Sequence, residues 1–162
     1  MNFIAEIGLN HNGSEGLLIE LIRQAAKSGA TMAKFQLGWR DKPDEINFLD
    51  SNKLKLILKV CTYYRIEPLF SIFHKDAWNL LSSVTKPKMI KIASRTFKND
   101  LEFVKNLSRT VEQIIVSTGM SDKKNIDFSM FENCHWLWCE SIYPLLPFQI
   151  KNFPSIFNNK TF

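Results

Sequence analysis

The sequence has few of the features that would place it outside the class of ordinary globular proteins. Only 3 of its 162 residues are cysteine, and none of them forms a Cys-x-x-Cys pair. Such a sparse, odd set fits a reducing cytoplasm better than a disulfide framework. No apolar run approaches the ~18 residues that a membrane-spanning helix needs. Residues 1–20 contain no basic segment followed by an apolar core, so we expect neither a membrane span nor a signal peptide.

Charge of one sign is not concentrated anywhere in the chain. Lys and Arg number 21 against 16 Asp and Glu, which gives a net charge of +5, and the basic residues are scattered. This scatter argues against a nucleic-acid-binding stripe, whereas a small positive surplus suits an anionic small molecule. With 45% hydrophobic residues, the chain can bury the core of one domain. We expect a single domain over 1–162, with an irregular aromatic tail at 147–162.

Short apolar runs alternate with amphipathic segments along the chain. The predicted strands cover 3–8, 31–37, 67–73, 88–94, 113–118 and 135–141. The predicted helices cover 14–28, 50–64, 76–83, 100–109 and 122–131. Because the strands are continuous apolar runs, the pattern indicates parallel strands covered by helices, as in a (β/α) barrel. An open doubly wound sheet is the competing fold, although the first turn lacks its Gly-x-Gly-x-x-Gly sequence.

Charged and hydroxyl side chains lie in or directly after several of these strands. An unpaired carboxylate is costly in an apolar layer, so Glu6 needs a partner or a cavity; a salt-bridged edge strand is the simpler alternative. Lys34 and Lys91 lie in separate strands, and each suits either a structural ion pair or a bound anion. Ser117 and Thr118 end a further strand, as an ordinary polar turn or as donors to the same anion. A phosphate or carboxylate is the natural guest, because ammonium and hydroxyl groups both donate to anionic oxygens.

Six short motifs of this kind follow one another in an order that resembles the sialic acid synthase family. They are Ala5-Glu6-Ile7-Gly8, Asn10-His11-Asn12-Gly13, Lys34-Phe35-Gln36, Lys91-Ile92-Ala93-Ser94, Ser117-Thr118-Gly119-Met120, and Cys139 with Tyr143-Pro144. Each motif alone is a weak signal, but six in order at strand ends form a strong one. The resemblance implies an incomplete TIM-type barrel of about six strand–helix units.

The resemblance also implies a function, the condensation of phosphoenolpyruvate with an N-acyl amino sugar such as N-acetylmannosamine. It assigns catalytic roles to Glu6, Lys34 and Lys91. The residues that would contact phosphoenolpyruvate are Lys34, Lys91, Ser94, Ser117 and Ser141. Those that would face the sugar are Glu6, Gln36 and Tyr143. Asn10 and His11 would support the turn beside Glu6, and a divalent metal, Mn or Mg, would polarise the sugar aldehyde.

The sequence departs from the family pattern at several positions. Ile72 and Phe73 stand where the family usually has Thr and Pro, so one phosphoenolpyruvate contact is lost. Arg95 and Thr96 replace a Gly and an acid. Nothing matches the two metal-binding histidines of the seventh and eighth strands, and we expect no metal ligands among the residues present. We expect His74, beside a lysine, to be a solvated loop residue, and we expect no antifreeze-like C-terminal domain.

These departures leave more than one function open. One hypothesis is a cytoplasmic synthase of nonulosonic acids, and Arg95 would suit a variant that takes a phosphorylated sugar. The other is a catalytically inactive, truncated relative that binds an anion or acts as a partner subunit. Since an open barrel exposes two strand edges, a homo-oligomer is expected.

Overall fold

A computed structural model describes residues 2–122 and 126–149, and the chain divides into two compact units. Unit 1 comprises residues 1–87 and unit 2 residues 88–162, and each is described by itself. The prediction of a single domain over 1–162 stays a prediction. Within the described residues, no helix combines the length and the apolar character required for crossing a bilayer.

Unit 1 is a repeated strand–helix arrangement. Its elements are β1 (Ile4–Gly8), α1 (Glu15–Lys27), β2 (Met32–Leu37), α2 (Ser51–Tyr64), β3 (Glu67–Ile72) and α3 (Lys75–Val84). The strands form a parallel sheet in the order β1-β2-β3. The parallel pairing predicted for these strands is therefore confirmed, and it follows from the crossover helix between each pair.

The two faces of β2 have different surroundings in unit 1. Phe35 and Leu37 are buried, and the Phe35 ring packs on that of Phe70 in β3, with the centroids 5.6 Å apart. Lys34 and Gln36 alternate with them and are only partly buried. Because side chains alternate along a strand, one face of β2 belongs to the core and the other is polar.

The helices of unit 1 begin at side-chain caps. The Ser14 hydroxyl accepts from the Leu17 N–H (3.2 Å), and Asp50 accepts from the Lys53 N–H (2.8 Å). At the start of α3, the imidazole of His74 accepts from the Ala77 N–H (3.3 Å). These caps satisfy N–H groups that have no partner within the helix. His74 lies in the loop before α3, as predicted, with its side chain 36% exposed, and its ring has the further role of capping the helix.

Unit 2 continues the same alternation. Its elements are β4 (Met89–Ile92), α4 (Ser94–Asn99), α5 (Leu101–Ser108), β5 (Gln113–Ser117), β6 (Cys134–Leu137) and a single 3-10 turn (Pro147–Gln149). The strands form a parallel sheet in the order β4-β5-β6. The core gathers around Trp136, which is fully buried and contacts the rings of Phe97, Phe128 and Phe131.

Three element boundaries in unit 2 differ from the sequence-based expectation. The fourth strand ends at Ile92, and Ser94 is the first residue of α4 rather than part of a strand. This extra helix buries Phe97 against Trp136, a contact that the strand pattern did not reveal. The last strand ends at Leu137 and not at Ser141.

The predicted helix over 122–131 is also wrong for its described residues 126–131, which form turns. Asp127 accepts a hydrogen bond from the Ser129 N–H (2.9 Å), and the Trp136 indole donates to the Phe128 carbonyl (3.1 Å). A side-chain acceptor of this kind competes with helix formation. Residues 123–125 and, in the aromatic tail, 150–162 lie outside the described residues.

Candidate active site

In unit 1, the polar face of β1 and β2 brings three of the predicted site residues together around Gly8. Glu6 and Lys34 are register partners and form an ion pair. A Cβ added at Gly8 would lie 3.1 Å from a Glu6 carboxylate oxygen and 3.7 Å from the Gln36 amide nitrogen. Glu6, Lys34 and Gln36 therefore share one small region at the carboxyl ends of β1 and β2.

The backbone of β1 explains why this region can form. The pairing of β1 with β2 shifts between Glu6 and Gly8, so that Gly8 pairs with Phe35. Gly8 has φ +54, in the left-handed region that a glycine adopts at low cost. Such a bulge turns the strand end, and the absence of a side chain leaves room for the Glu6 carboxylate.

The Glu6–Lys34 pair answers one question that the sequence left open. The side chain of Lys34 is 12% exposed, whereas that of Glu6 is 50% exposed. The buried lysine thus has the ionic partner that burial demands, while half of the carboxylate's side chain still faces solvent. The predicted catalytic roles of Glu6 and Lys34 and the sugar contact of Gln36 stay predictions.

In unit 2, Lys91 is the centre of a second polar group. Its ammonium donates to the Ser117 hydroxyl across neighbouring strands (Nζ–Oγ 2.8 Å). Burial lowers the pKa of Lys91 from its ordinary value, while the nearby Cys139 acts in the opposite direction. Ser117 is itself buried. A partly desolvated ammonium with one hydroxyl partner gains stabilisation from any anion that reaches it.

Ser94 connects the ends of three elements in the same unit. Its hydroxyl accepts from the Gly119 N–H (3.1 Å) and lies 3.8 Å from the Cys139 sulfur. A Cβ added at Gly119 would lie 2.5 Å from the Ser141 hydroxyl oxygen and 3.1 Å from the Cys139 carbonyl oxygen. The start of α4, the residue pair after β5 and the segment after β6 therefore meet at Ser94 and Gly119.

We name this group the lysine cluster; its members are Lys91, Ser94, Ser117, Gly119, Cys139 and Ser141. It contains one ammonium and three hydroxyls, and in the described residues it holds no carboxylate partner for Lys91. Groups that donate hydrogen bonds around one cation suit a phosphate or carboxylate. All four unit 2 residues predicted to contact phosphoenolpyruvate lie in this cluster, although the contacts themselves stay predictions.

Two further predicted residues lie elsewhere. Tyr143 is 93% exposed, and within the part that the structure describes no hydrogen bond joins it to the other predicted residues. His11 is buried, and its Nδ1 accepts from the Gly13 N–H (3.2 Å). Burial first, and the charge of Lys53 second, lower the pKa of His11. Its place in the turn agrees with a supporting role.

The described residues do not form a binding site for a divalent metal. Among residues 2–122 and 126–149, no group of three or more His, Cys, Asp or Glu side chains could hold a metal ion. The side chains that would bind the metal implied by the resemblance are therefore not among those described. No chemical step proposed for this chain depends on that metal. Ile72, which replaces the expected Thr, is fully buried in the core.

Sequence reasoning did not identify the glycines Gly8 and Gly119 as parts of the site, nor the aromatic residue Trp39. Trp39 follows β2 and is 43% exposed, with its ring 5.2 Å from that of Phe73 after β3. The available signal was an aromatic residue close to the end of each of two neighbouring strands, Trp39 and Phe73.

Comparison with known proteins shows to which family the chain is similar. Residues 44–151 match the NeuB family. N,N'-diacetyllegionaminic acid synthase of Campylobacter jejuni is 29% identical over 92% of this chain and 54% of its own length. An uncharacterised protein of Methanocaldococcus jannaschii is 29% identical over 96% of this chain and 52% of its own length. The chain thus spans about half the length of the curated relatives that it matches.

Solved structures show the same fold. The N-acetylneuraminic acid (sialic acid) synthetase of Leptospira borgpetersenii, crystallised with citrate, superimposes with a TM-score of 0.78 at 23% identity, over 90% of this chain and 56% of that one. The spore coat polysaccharide biosynthesis protein SpsE of Bacillus subtilis gives a TM-score of 0.71 at 25% identity, over 90% and 46%. The predicted fold class, an incomplete (β/α) barrel, is confirmed. The resemblance drawn from six short motifs is confirmed as well, and the chain belongs to the NeuB family.

Proposed function

We propose that this chain carries the phosphoenolpyruvate-binding and sugar-binding part of a synthase that makes nonulosonic acids. The observation that carries the proposal is the lysine cluster, a partly desolvated ammonium group surrounded by hydroxyls. The named synthases among the relatives and structural neighbours support it. The proposed substrates are phosphoenolpyruvate and an N-acyl amino sugar.

The lysine cluster would bind the more highly charged substrate. Lys91 supplies the positive charge, and Ser94, Ser117 and Ser141 supply hydroxyl donors to the phosphate and carboxylate of phosphoenolpyruvate. Because Gly119 holds the Ser94 hydroxyl through its N–H, this donor is oriented before the ligand arrives. Preorganised donors lose little free energy to reorganisation when an anion binds.

The residues of unit 1 would serve the sugar. Gln36 has both donor and acceptor atoms for hydroxyl and amide groups of the substrate. Glu6 has a half-exposed side chain and remains close to Lys34, so it is able to exchange a proton as the aldehyde becomes an alcohol. Lys34 is the second cation that the resemblance assigns to phosphoenolpyruvate, and this role stays a prediction.

The test combines binding with turnover. Calorimetry is expected to show saturable binding of phosphoenolpyruvate that Lys91→Met abolishes. The purified chain is then incubated with phosphoenolpyruvate, N-acetylmannosamine and Mn²⁺, and released phosphate is measured; release above the blank would show that these residues also carry out turnover. Binding without release at any metal concentration would assign an anion-binding protein without turnover. If phosphoenolpyruvate does not bind at all, the proposed function fails.

A further inference from the structure

An aromatic pair, exposed Trp39 and half-buried Phe73, follows the carboxyl ends of β2 and β3 in unit 1. The rings of Trp39 and Phe73 lie with centroids 5.2 Å apart and planes inclined at 52°. Trp39 is 43% exposed, whereas the large side chains at the ends of the strands themselves, Leu37 and Ile72, are almost completely buried. The pair is therefore held in place on one side and open to solvent on the other.

Strand register shows which face of the sheet carries this pair. Gln36 is the partner of Ser71, and the hydrogen bond from the Phe73 N–H to the Leu37 carbonyl (3.3 Å) continues the pairing one residue beyond β3. Since side chains alternate along a strand, Phe73 falls on the face of Ser71 and not on that of Ile72. Gln36 shares this face. Phe73 thus lies about 7 Å, two residues of strand, beyond the level of Gln36, and the ring of Trp39 contacts it.

The electrostatics of an aromatic ring decide what kind of ligand fits there. The face of an indole or phenyl ring carries partial negative charge, so it repels phosphate and carboxylate groups and attracts polarised C–H groups. Glu6 and Lys34, further back along the strands, form an ion pair, and Arg40, the residue after Trp39, is paired with Glu45. A neutral ligand with hydroxyls and an amide on one side and C–H groups on the other matches this combination, because binding sites pair apolar walls with a few polar groups.

We propose that Trp39 and Phe73 form an aromatic wall that binds the C–H face of the N-acyl amino sugar, while Gln36 binds its polar groups. The inference rests on the proposed function and adds to it a specificity-determining residue, Trp39. The wall selects the sugar and not phosphoenolpyruvate. Truncating Trp39 therefore weakens the binding of the sugar and leaves the binding of phosphoenolpyruvate unchanged.

The test measures both ligands on the purified chain by ligand-observed NMR and calorimetry. For N-acetylmannosamine, Trp39→Ala is expected to raise the dissociation constant at least about tenfold, which corresponds to ~1.4 kcal/mol. Trp39→Phe keeps an aromatic face and is expected to stay within about threefold of the wild type. The phosphoenolpyruvate dissociation constant is expected to be the same in all three proteins.

Tyr63→Ala is the matched control. Tyr63 is also an exposed aromatic residue, at 78%, and its ring contacts that of Tyr64 at 4.9 Å. It lies at the end of α2, just before the amino end of β3, and therefore at the opposite end of the strand from Phe73. This variant is expected to bind N-acetylmannosamine like the wild type, and urea unfolding of each variant verifies that it is folded.

Two results would overturn the inference. In the first, Trp39→Ala folds and binds N-acetylmannosamine as tightly as the wild type. In the second, the wild type shows no saturable binding of this sugar. Phosphoenolpyruvate separates the second result from a failure of the proposed function, because binding that Lys91→Met abolishes would leave the lysine cluster intact as an anion site.

Discussion

Gly119 offers the sharpest test of how the lysine cluster is built. A methyl group added there would lie 2.5 Å from the Ser141 hydroxyl oxygen, 3.0 Å from the Ser141 backbone nitrogen and 3.1 Å from the Cys139 carbonyl oxygen. The hydroxyl can rotate away, but the two backbone atoms can move only with the whole segment after β6. Overpacking of this kind costs about 1–3 kcal/mol.

We therefore expect Gly119→Ala to lower the free energy of unfolding by about 2 kcal/mol. With a urea m-value of about 2 kcal/mol/M, the midpoint would fall by about 1 M. Because the Gly119 N–H orients Ser94, and Ser141 and Cys139 must move, the affinity for phosphoenolpyruvate is expected to fall by at least about tenfold. Urea unfolding followed by tryptophan fluorescence and calorimetry of phosphoenolpyruvate binding measure the two effects.

Gly16→Ala is the control for this prediction. Gly16 lies in the first turn of α1, and only the Ser14 hydroxyl oxygen, at 3.8 Å, comes near an added methyl group. Since alanine loses less backbone entropy in a helix, this change is expected to raise the free energy of unfolding by about 0.5 kcal/mol. The reasoning about Gly119 would be refuted if Gly119→Ala unfolded at the wild-type midpoint and bound phosphoenolpyruvate normally.

Three further predictions follow from single contacts. Lys91→Met removes a charge that attracts an anion 4 Å away by about 4 kcal/mol at an effective dielectric constant of 20. Calorimetry should therefore show at least a ~100-fold loss of phosphoenolpyruvate affinity. The free energy of unfolding should stay within about 1 kcal/mol of the wild type. The pKa of His11 is below its ordinary value of 6.5 in the folded chain, so the unfolded chain binds the proton more readily. The stability from this group is therefore complete above pH 6.5 and is lost as the pH falls below it. The urea midpoints at pH 7.5 and 5.5 should differ less in His11→Asn than in the wild type, and an equal difference would contradict this. Asp50→Ala should lower the free energy of unfolding by about 1 kcal/mol in urea, because it removes the cap of α2. Asp50→Asn keeps a capping oxygen and should lower it by only about 0.3 kcal/mol. Equal losses in the two variants would exclude capping as the cause.

The order of the six strands and their directions followed from the sequence alone. Continuous apolar runs separated by amphipathic helices allow few arrangements other than parallel strands with crossover helices. The caps at Ser14 and Asp50 are also local features, since a short polar side chain before an apolar stripe satisfies the first N–H groups of a helix. The charges in strands, Lys34 and Lys91, indicated the site because a buried lysine requires a partner.

Other features depended on contacts between residues far apart in sequence. The helix α4 and the turns over 126–131 exist because Phe97, Phe128 and Phe131 pack around Trp136, and local propensity does not encode such packing. The bulge at Gly8, the close approach of Ser141 to Gly119 and the contact of Trp39 with Phe73 likewise join separate strand ends. Sequence determined which chemical groups this protein places at its strand ends. Tertiary structure decided which of those groups meet, because convergence requires the register and curvature of the assembled sheet.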